Sequence, residues 1–112
     1  MKIFRGEIWQ VNLNPTRGHE QAGMRPALII SIDFFHNGPA GLVVVIPITS
    51  KDKSIPLHVC IESKDSGLDR ISFLKPEDIR SISKERLIKK LGQISEKQLD
   101  EVEDKVRIVL GL

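Results

Sequence analysis

The sequence predicts a mainly β protein of the α+β class, a small antiparallel barrel with one helix packed on it. Five or six short segments have strand patterns, in which apolar residues either alternate with polar ones or run without a break. Only residues 96–110 have the three- and four-residue apolar spacing of an amphipathic helix. The chain has 112 residues without repeats or a linker, so residues 1–112 are expected to form a single domain.

The N-terminal half contains the strands that should build the core. Residues 7–13 alternate, and Trp9 is expected to enter the core with the apolar residues on its face. Two later segments, 27–32 and 43–50, are continuously apolar, which is typical of strands buried on both faces. Residues 33–38 contain enough helix signals for one turn.

The C-terminal half has shorter strands and ends in the helix. Alternation and turn residues predict strands at 57–62, 70–75 and 77–82. A single helical turn is expected at 83–86, before residues 87–94, in which Gly92 indicates a bend. Ser95 and Gln98 have the spacing of a capping box, so the helix should begin directly after Ser95. Its apolar stripe consists of Leu99, Val102, Val106, Val109 and Leu110.

Composition limits the possible classes of function. The net charge of +2 permits a nucleic-acid partner without requiring one. The single cysteine, Cys60, rules out an internal disulfide, fits a reducing cytoplasm, and is expected as core or sheet filler rather than a nucleophile. No apolar run approaches 18 residues and the N-terminus lacks a signal pattern, so we expect a soluble cytoplasmic protein without a membrane partner.

Motifs for metal or nucleotide chemistry are missing from the sequence. It contains no C-x-x-C, no H-E-x-x-H and no G-x-x-x-x-G-K-[ST], so neither a metal nor another cofactor is expected. His36 lies beside a turn and is expected at the surface. His58 alternates with apolar neighbours and is expected to face solvent or to be lightly packed.

A polar loop at residues 15–26 is the most unusual segment. It carries five long polar side chains, namely Arg17, His19, Glu20, Gln21 and Arg25. Arginine forks suit phosphate oxygens, whereas Gln and Glu suit base edges. The alternative is a solvated hairpin loop whose charges pair with each other. Because Arg25 directly precedes Pro26 and an apolar run, we expect it to be anchored where the loop enters the core.

A hydroxyl pair, Thr49 and Ser50, occupies a similar boundary at the end of the second apolar strand. In a compact barrel the strands that carry Arg25 and Thr49 are expected to be neighbours. An arginine and a threonine fixed by a core could bind a phosphate and stabilise its developing charge.

Several segments together resemble the MazF/PemK/Kid family of toxin endoribonucleases. They are R-G-E-I-W (5–9), L-N-P-T-R-G-H-E-Q-A-G-M-R-P-A-L-I-I-S (13–31), V-V-I-P-I-T-S (44–50), I-R-S-I (79–82) and R-L-I-K-K-L-G (86–92), followed by the closing helix. The resemblance covers nearly the full length in the right order. Its specific element is the G-H-E-Q-x-G-x-R-P block.

The resemblance implies an SH3-like barrel related to the gyrase poison CcdB, assembled as a homodimer. It also implies sequence-specific, metal-independent cleavage of single-stranded RNA, including mRNA. A cognate MazE-like antitoxin with an acidic, flexible tail would lie across the RNA groove. DNA would be contacted only indirectly, through the antitoxin complex.

The same resemblance assigns roles to individual residues. The catalytic arginine and threonine of the family correspond to Arg25 and Thr49, and the stretch His19, Glu20 and Gln21 corresponds to its RNA-contacting, sometimes catalytic loop. In the Kid branch an arginine and an aspartate on a later strand act as acid and base. The present chain has Lys75 and Glu77 there, so those roles do not transfer directly.

The hypothesis that follows is attack by the RNA 2′-hydroxyl, which leaves a 2′,3′-cyclic phosphate and a 5′-hydroxyl. Glu20 is the first choice as proton acceptor, ahead of His19 and Glu77. Remaining RNA contacts are expected from Arg17, Gln21, Ser50, Lys51, Lys53 and Glu77, although the two lysines could instead be solvated turn residues.

Two rival functions remain open at this point. One is a CcdB-like protein that binds gyrase without cutting RNA, which would not need Arg25. The other is a family member kept as a binding or transcriptional module without activity.

Overall fold

A computed structural model describes residues 2–14, 23–61 and 64–112. The strands are β1 (Glu7–Asn12), β2 (Met24–Ile29), β3 (Leu42–Thr49), β4 (Val59–Ile61), β5 (Ser72–Leu74), β6 (Arg80–Ser83) and β7 (Leu87–Gln93). The helices are α1 (Asp33–His36) and α2 (Glu96–Leu110), and short 3₁₀ turns span Lys64–Ser66, Pro76–Asp78 and Lys84–Arg86. The described residues thus form seven strands, where the sequence patterns indicated five or six.

All strand pairs are antiparallel, in the order β4-β5-β3-β2-β1-β7, with β6 also paired to β3. The long strand β3 changes partner along its length. Its first half pairs with β6, as in Val43 opposite Ile82, and its last residues pair with β5, as in Ile48 opposite Leu74. This change of partner curves the sheet. The mainly β architecture with a C-terminal helix that the sequence predicted is confirmed.

Two apolar clusters lie on opposite faces of β1, β2 and β3. The first contains Ile3, Trp9, Val11, Leu13, Ala27, Ile29, Val43, Val45, Ile82 and Leu87. The second contains Ile8, Leu28, Ile46, Ile48, Val59, Ile61, Leu74, Ile94 and Val102. Because neighbouring residues of one strand enter different clusters, β2 and β3 are buried on both faces, as their continuous apolar runs predicted. Trp9 is confirmed as a core residue.

Helix α2 begins and ends where its sequence predicted. The capping box is formed, with the Gln98 N–H donating to Ser95 Oγ over 3.1 Å, and Gly111 ends the helix in a left-handed conformation. Val102 is fully buried in the second cluster, and Leu99 and Val106 pack against it. Leu110 is half exposed, contrary to the predicted stripe, because the last turn lies beyond that cluster. Neither helix of the described part is long and apolar enough to cross a membrane.

The surface positions predicted for two histidines are wrong. His36 is fully buried: its Nε2–H donates to the Ile3 carbonyl over 2.7 Å, and its Nδ1 lies 2.8 Å from Ser31 Oγ. The side chain of His58 is only 3% exposed and is hydrogen-bonded to Glu77. Cys60 lies in strand β4 as expected, but it is exposed there and does not fill the core.

Candidate active site

A cavity of about 170 Å³ opens where the start of β2 meets the end of β3. Its described lining residues are Arg25, Pro26, Ile48, Thr49, Ser50, Leu68, Asp69, Arg70 and Ser72. Arg25 and Thr49, which the sequence suggested as partners, therefore line the same cavity. The cavity combines cationic, hydroxyl and apolar groups, a mixture that suits a phosphate carrying an organic substituent.

The pairing of β2 with β3 explains why these two residues meet. Ala27 lies opposite Pro47 and Ile29 lies opposite Val45. Continuing this register by two residues brings Arg25 opposite Thr49, and directly opposed residues of antiparallel strands have neighbouring side chains. The site is thus built by strand register, and the core residues of both strands hold it in place.

The two residues differ in exposure in a way that suits their chemistry. Arg25 is exposed, whereas Thr49 is only 5% exposed at the last position of β3. Thr49 Oγ1 accepts a hydrogen bond from the Lys51 N–H at 3.2 Å. Because the oxygen is already an acceptor, the hydroxyl proton can be directed to a further acceptor, such as a phosphate oxygen.

Of the other predicted site residues, Ser50 lines the cavity beside Thr49. Lys51 and Lys53 are exposed in the segment after β3 and are not among its described lining residues. The predicted contacts of the polar loop, Arg17, His19, Glu20 and Gln21, lie outside the described residues.

Glu77 is placed away from the described wall of this cavity, in a pair with His58. The His58 Nε2–Glu77 Oε2 distance is 2.6 Å. Burial raises the pKa of the Glu77 carboxyl, but the hydrogen bond from His58, a backbone hydrogen bond and the positive charges of His58 and Lys75 outweigh it, so the pKa lies below its ordinary value. Glu77 is therefore ionised at neutral pH.

Lys75 is buried and pairs with Asp78 at 2.8 Å.

Part of the cavity wall did not emerge from the sequence. Asp69 and Arg70 both line it, and Arg70 Nε lies 3.4 Å from Asp69 Oδ1 in an exposed ion pair. Arg70 stands where a loop enters a strand, the same position that singled out Arg25, so that criterion could have found it. Leu68 and Ser72 complete this side of the cavity.

No described cluster of three or more His, Cys, Asp or Glu side chains is arranged to hold a metal ion.

Comparison with known proteins gives the family. Residues 4–110 match the family described as "PemK-like, MazF-like toxin of type II toxin-antitoxin system". The chain belongs to this family. The resemblance found in the sequence is thereby confirmed, and the protein is a MazF-like toxin.

Individual relatives support the same placement of this MazF-like toxin. It is 34% identical over 113 residues to Endoribonuclease EndoA of Bacillus subtilis (strain 168), covering 100% of this chain and 97% of the relative. It superposes on the crystal structure of MazF from Deinococcus radiodurans with a TM-score of 0.89 and 28% identity, covering 100% and 99% of the two chains. A MazE-MazF structure from Deinococcus radiodurans matches with a TM-score of 0.81 and 28% identity, covering 100% and 98%.

Proposed function

We propose that this MazF-like toxin is an endoribonuclease that cleaves single-stranded RNA by attack of the RNA 2′-hydroxyl, without a metal ion. The endoribonuclease class follows from its family and from the name of its relative EndoA. The observation that carries the proposed chemistry is the single cavity shared by Arg25 and Thr49. It offers a guanidinium and a fixed hydroxyl to one phosphodiester.

RNA contains its own nucleophile, so the protein needs only to position the phosphate and to handle protons and charge. In-line attack of the 2′-oxygen on the adjacent phosphorus breaks the bond to the 5′-oxygen. The products are a 2′,3′-cyclic phosphate and a 5′-hydroxyl. The transition state carries additional negative charge on the non-bridging oxygens, which preorganised donors stabilise most effectively.

Arg25 would hold the non-bridging oxygens and donate a proton to the leaving 5′-oxygen. Thr49 would donate its hydroxyl proton to one phosphate oxygen, since its Oγ1 already accepts from Lys51. The proton acceptor for the 2′-hydroxyl is proposed to be Glu20, with His19 and Glu77 as alternatives. Glu77 is ionised at neutral pH but hydrogen-bonded to His58, so it would have to leave that partner to accept a proton.

The RNA would extend from the cavity along the residues that follow β3. Ser50 lines the cavity, and Lys51 and Lys53 are exposed directly beyond it, where they can contact phosphates. Arg17, His19 and Gln21 are proposed to contact bases or phosphates from the polar loop. Sequence-specific reading of RNA usually requires unstacked bases, so duplex RNA should resist cleavage.

The decisive experiment incubates the purified protein with a long single-stranded RNA in EDTA and analyses the fragment ends. Fragments ending in a cyclic phosphate, produced by the wild type but not by Arg25→Ala, are expected. Intact RNA together with inhibited DNA gyrase would favour a CcdB-like toxin instead. Cleavage that requires an added divalent cation would contradict the proposed chemistry.

The partners proposed for this toxin are a second copy of the chain and a cognate antitoxin of the MazE kind. The proposal of an antitoxin rests on the family description and on the MazE-MazF structure from Deinococcus radiodurans. Light scattering coupled to gel filtration measures the mass of the toxin alone, which should be that of a homodimer. Added antitoxin should increase the mass and abolish RNA cleavage.

A further inference from the structure

A second cavity, of about 220 Å³, adjoins the Arg25–Thr49 cavity and shares part of its lining. Its described lining residues are Ile61, Lys64, Ser66, Leu68, Asp69, Arg70 and Ile71. Leu68, Asp69 and Arg70 line both cavities. These three residues, called here the shared wall, therefore separate two neighbouring pockets.

The second cavity has the composition expected of a nucleoside pocket. Leu68 and Ile71 provide apolar surface against which a base can pack, and the buried Ile61 also lines the cavity. Lys64 and Arg70 add positive charge at exposed positions, where a backbone phosphate can reach them. Single-strand binders combine cationic contacts to phosphate with side chains, mostly aromatic, on which bases stack. In this cavity the aliphatic side chains take the place of the aromatic ones.

Close backbone packing at two glycines fixes the segment next to the shared wall. A Cβ added to Gly67 would lie 1.9 Å from the Leu91 carbonyl oxygen, and a Cβ on Gly92 would lie 2.2 Å from the Asp65 carbonyl oxygen. The backbone before the shared wall therefore packs directly on strand β7, at a distance that a side chain would prevent. This packing fixes the backbone that leads to Arg70, whose side chain is 68% exposed and can reach a ligand.

Arg70 can interact with a phosphate from this position. The ion pair with Asp69 uses Nε at 3.4 Å and is exposed, so it is weak. A guanidinium held in this way can offer its terminal N–H groups to a phosphate in the two-pronged geometry that arginine favours. The phosphate that links nucleotides in the two cavities would have to cross the shared wall, where Arg70 is placed.

We infer that the second cavity binds a nucleoside of the RNA next to the scissile step, and that Arg70 positions the phosphate between the two. This inference rests on the proposed function, because it takes the Arg25–Thr49 cavity as the place of cleavage. Lys64 serves the second cavity alone, since it lines that cavity and not the first.

The test uses RNA oligonucleotides that contain the mapped cleavage step. One is a minimal core, and two others extend this core by two nucleotides, on the 5′ side or on the 3′ side. For the wild type, one of the two extensions should raise kcat/KM. Lys64→Ala should raise KM for the extended substrate about tenfold and leave kcat within about twofold. Arg70→Ala should also raise this KM about tenfold; because Arg70 lines the cleavage cavity as well, its kcat is not used as a criterion. Lys64→Ala should leave cleavage of the minimal core unchanged, because the core does not reach the second cavity.

Binding gives a readout that does not depend on cleavage. A strand with a 2′-deoxy nucleotide at the cleavage step cannot be cut, and its Kd is measured by fluorescence anisotropy at several salt concentrations. Each of the two variants should reduce the salt slope by about 0.7, the value for one phosphate contact on a single strand. Lys97→Ala, an exposed lysine of α2, is the matched control and should leave the slope unchanged.

The outcomes separate this inference from the proposed function. Unchanged binding and KM in Lys64→Ala and Arg70→Ala would overturn the inference that the second cavity binds RNA. If Arg25→Ala loses cleavage but not binding in the same experiments, the proposed function still holds. Wild-type cleavage by Arg25→Ala would overturn the proposed catalytic role, whereas the salt slopes would still report on the second cavity. Equal losses on the minimal and the extended substrate in Lys64→Ala would also contradict the inference.

Discussion

Arg25 and Thr49 line one cavity although 23 residues separate them in the chain, because β2 and β3 pair antiparallel in a register that brings these positions opposite each other. The exposed guanidinium can adapt to a substrate, whereas the buried threonine is fixed by the core. Catalysis by such a pair depends on preorganisation, since the donors are in place before charge develops.

Removing either group should therefore reduce cleavage strongly. We expect Arg25→Ala and Thr49→Ala each to lower kcat by at least about 10²-fold, the loss typical of one oxyanion donor. Thr49→Ser keeps the hydroxyl and should retain most of the activity. Single-turnover cleavage of one fluorescent RNA measures all three, and circular dichroism checks that each variant is folded. Near-wild-type cleavage by Thr49→Ala would remove Thr49 from the mechanism.

The pair of Glu77 and His58 gives a spectroscopic prediction. Burial raises the pKa of Glu77, and the hydrogen bond and charge of His58 are among the larger effects that lower it. His58→Ala removes these and should shift the pKa of Glu77 upward. Carboxyl ¹³C NMR titration of the wild type and the variant measures the shift. An unchanged midpoint would mean that His58 does not hold Glu77 in solution.

The carboxylate of Glu7 links stability to pH. Burial raises its pKa, but hydrogen bonds from the Phe4 N–H, Lys90 and the Trp9 indole, with the Lys90 charge, lower it below the ordinary value of 4.5. A lowered folded-state pKa contributes stability above pH 4.5, and this contribution is lost as the pH falls through the folded-state pKa.

Glu7→Gln should accordingly be less stable than the wild type by about 2 kcal/mol at pH 7, because hydrogen bonds to a charged group are lost. The difference in free energy of unfolding should shrink as the pH falls below 4.5 and through the lowered folded-state pKa of Glu7. Urea unfolding at pH 7 and pH 3 measures it. Glu101→Gln, exposed on α2, is the control and should change stability little at either pH. A difference that grows towards low pH would reverse the assigned sign.

Two glycines with a left-handed backbone, Gly67 beside the shared wall and Gly41 before β3, predict unequal costs for the same substitution. Gly67 has φ of +76° and no space for a side chain, whereas Gly41 has φ of +70° with nothing within 4 Å of an added Cβ. Gly41→Ala should cost about 1 kcal/mol for the left-handed backbone, and Gly67→Ala at least about 3 kcal/mol, since the clash adds to it. Chemical denaturation compares the two, and similar costs would show that the loop can move away from β7.

Local signals predicted much of this fold, and the misses concern contacts between distant residues. Helix α2 was predicted with its correct ends because its cap joins Ser95 to Gln98, three residues apart. The burial of His36 depends on the Ile3 carbonyl, 33 residues away, and that of His58 on Glu77, 19 residues away. No periodicity reports such partners.

The candidate site likewise contains residues that local patterns predicted and residues whose placement depends on distant contacts. Arg25 and Thr49 were found because each stands where a polar segment meets an apolar strand, and strand neighbours could be inferred. Asp69 and Arg70 were not predicted, although Arg70 stands where a loop enters a strand, because the placement of their loop depends on the packing of Gly67 on Leu91. The contributions predicted for Arg17, His19, Glu20 and Gln21 stay predictions, since those residues lie outside the described part of the chain.

The presence of apolar clusters on both faces of β1, β2 and β3 has a consequence for hydrogen exchange in heavy water. Backbone amides at Leu28 and Ile46 lie in paired strands between the two clusters, so separating either cluster from the sheet does not expose them. They should exchange only when the whole domain opens. Their exchange rates would then report the global stability of the toxin directly, without denaturant.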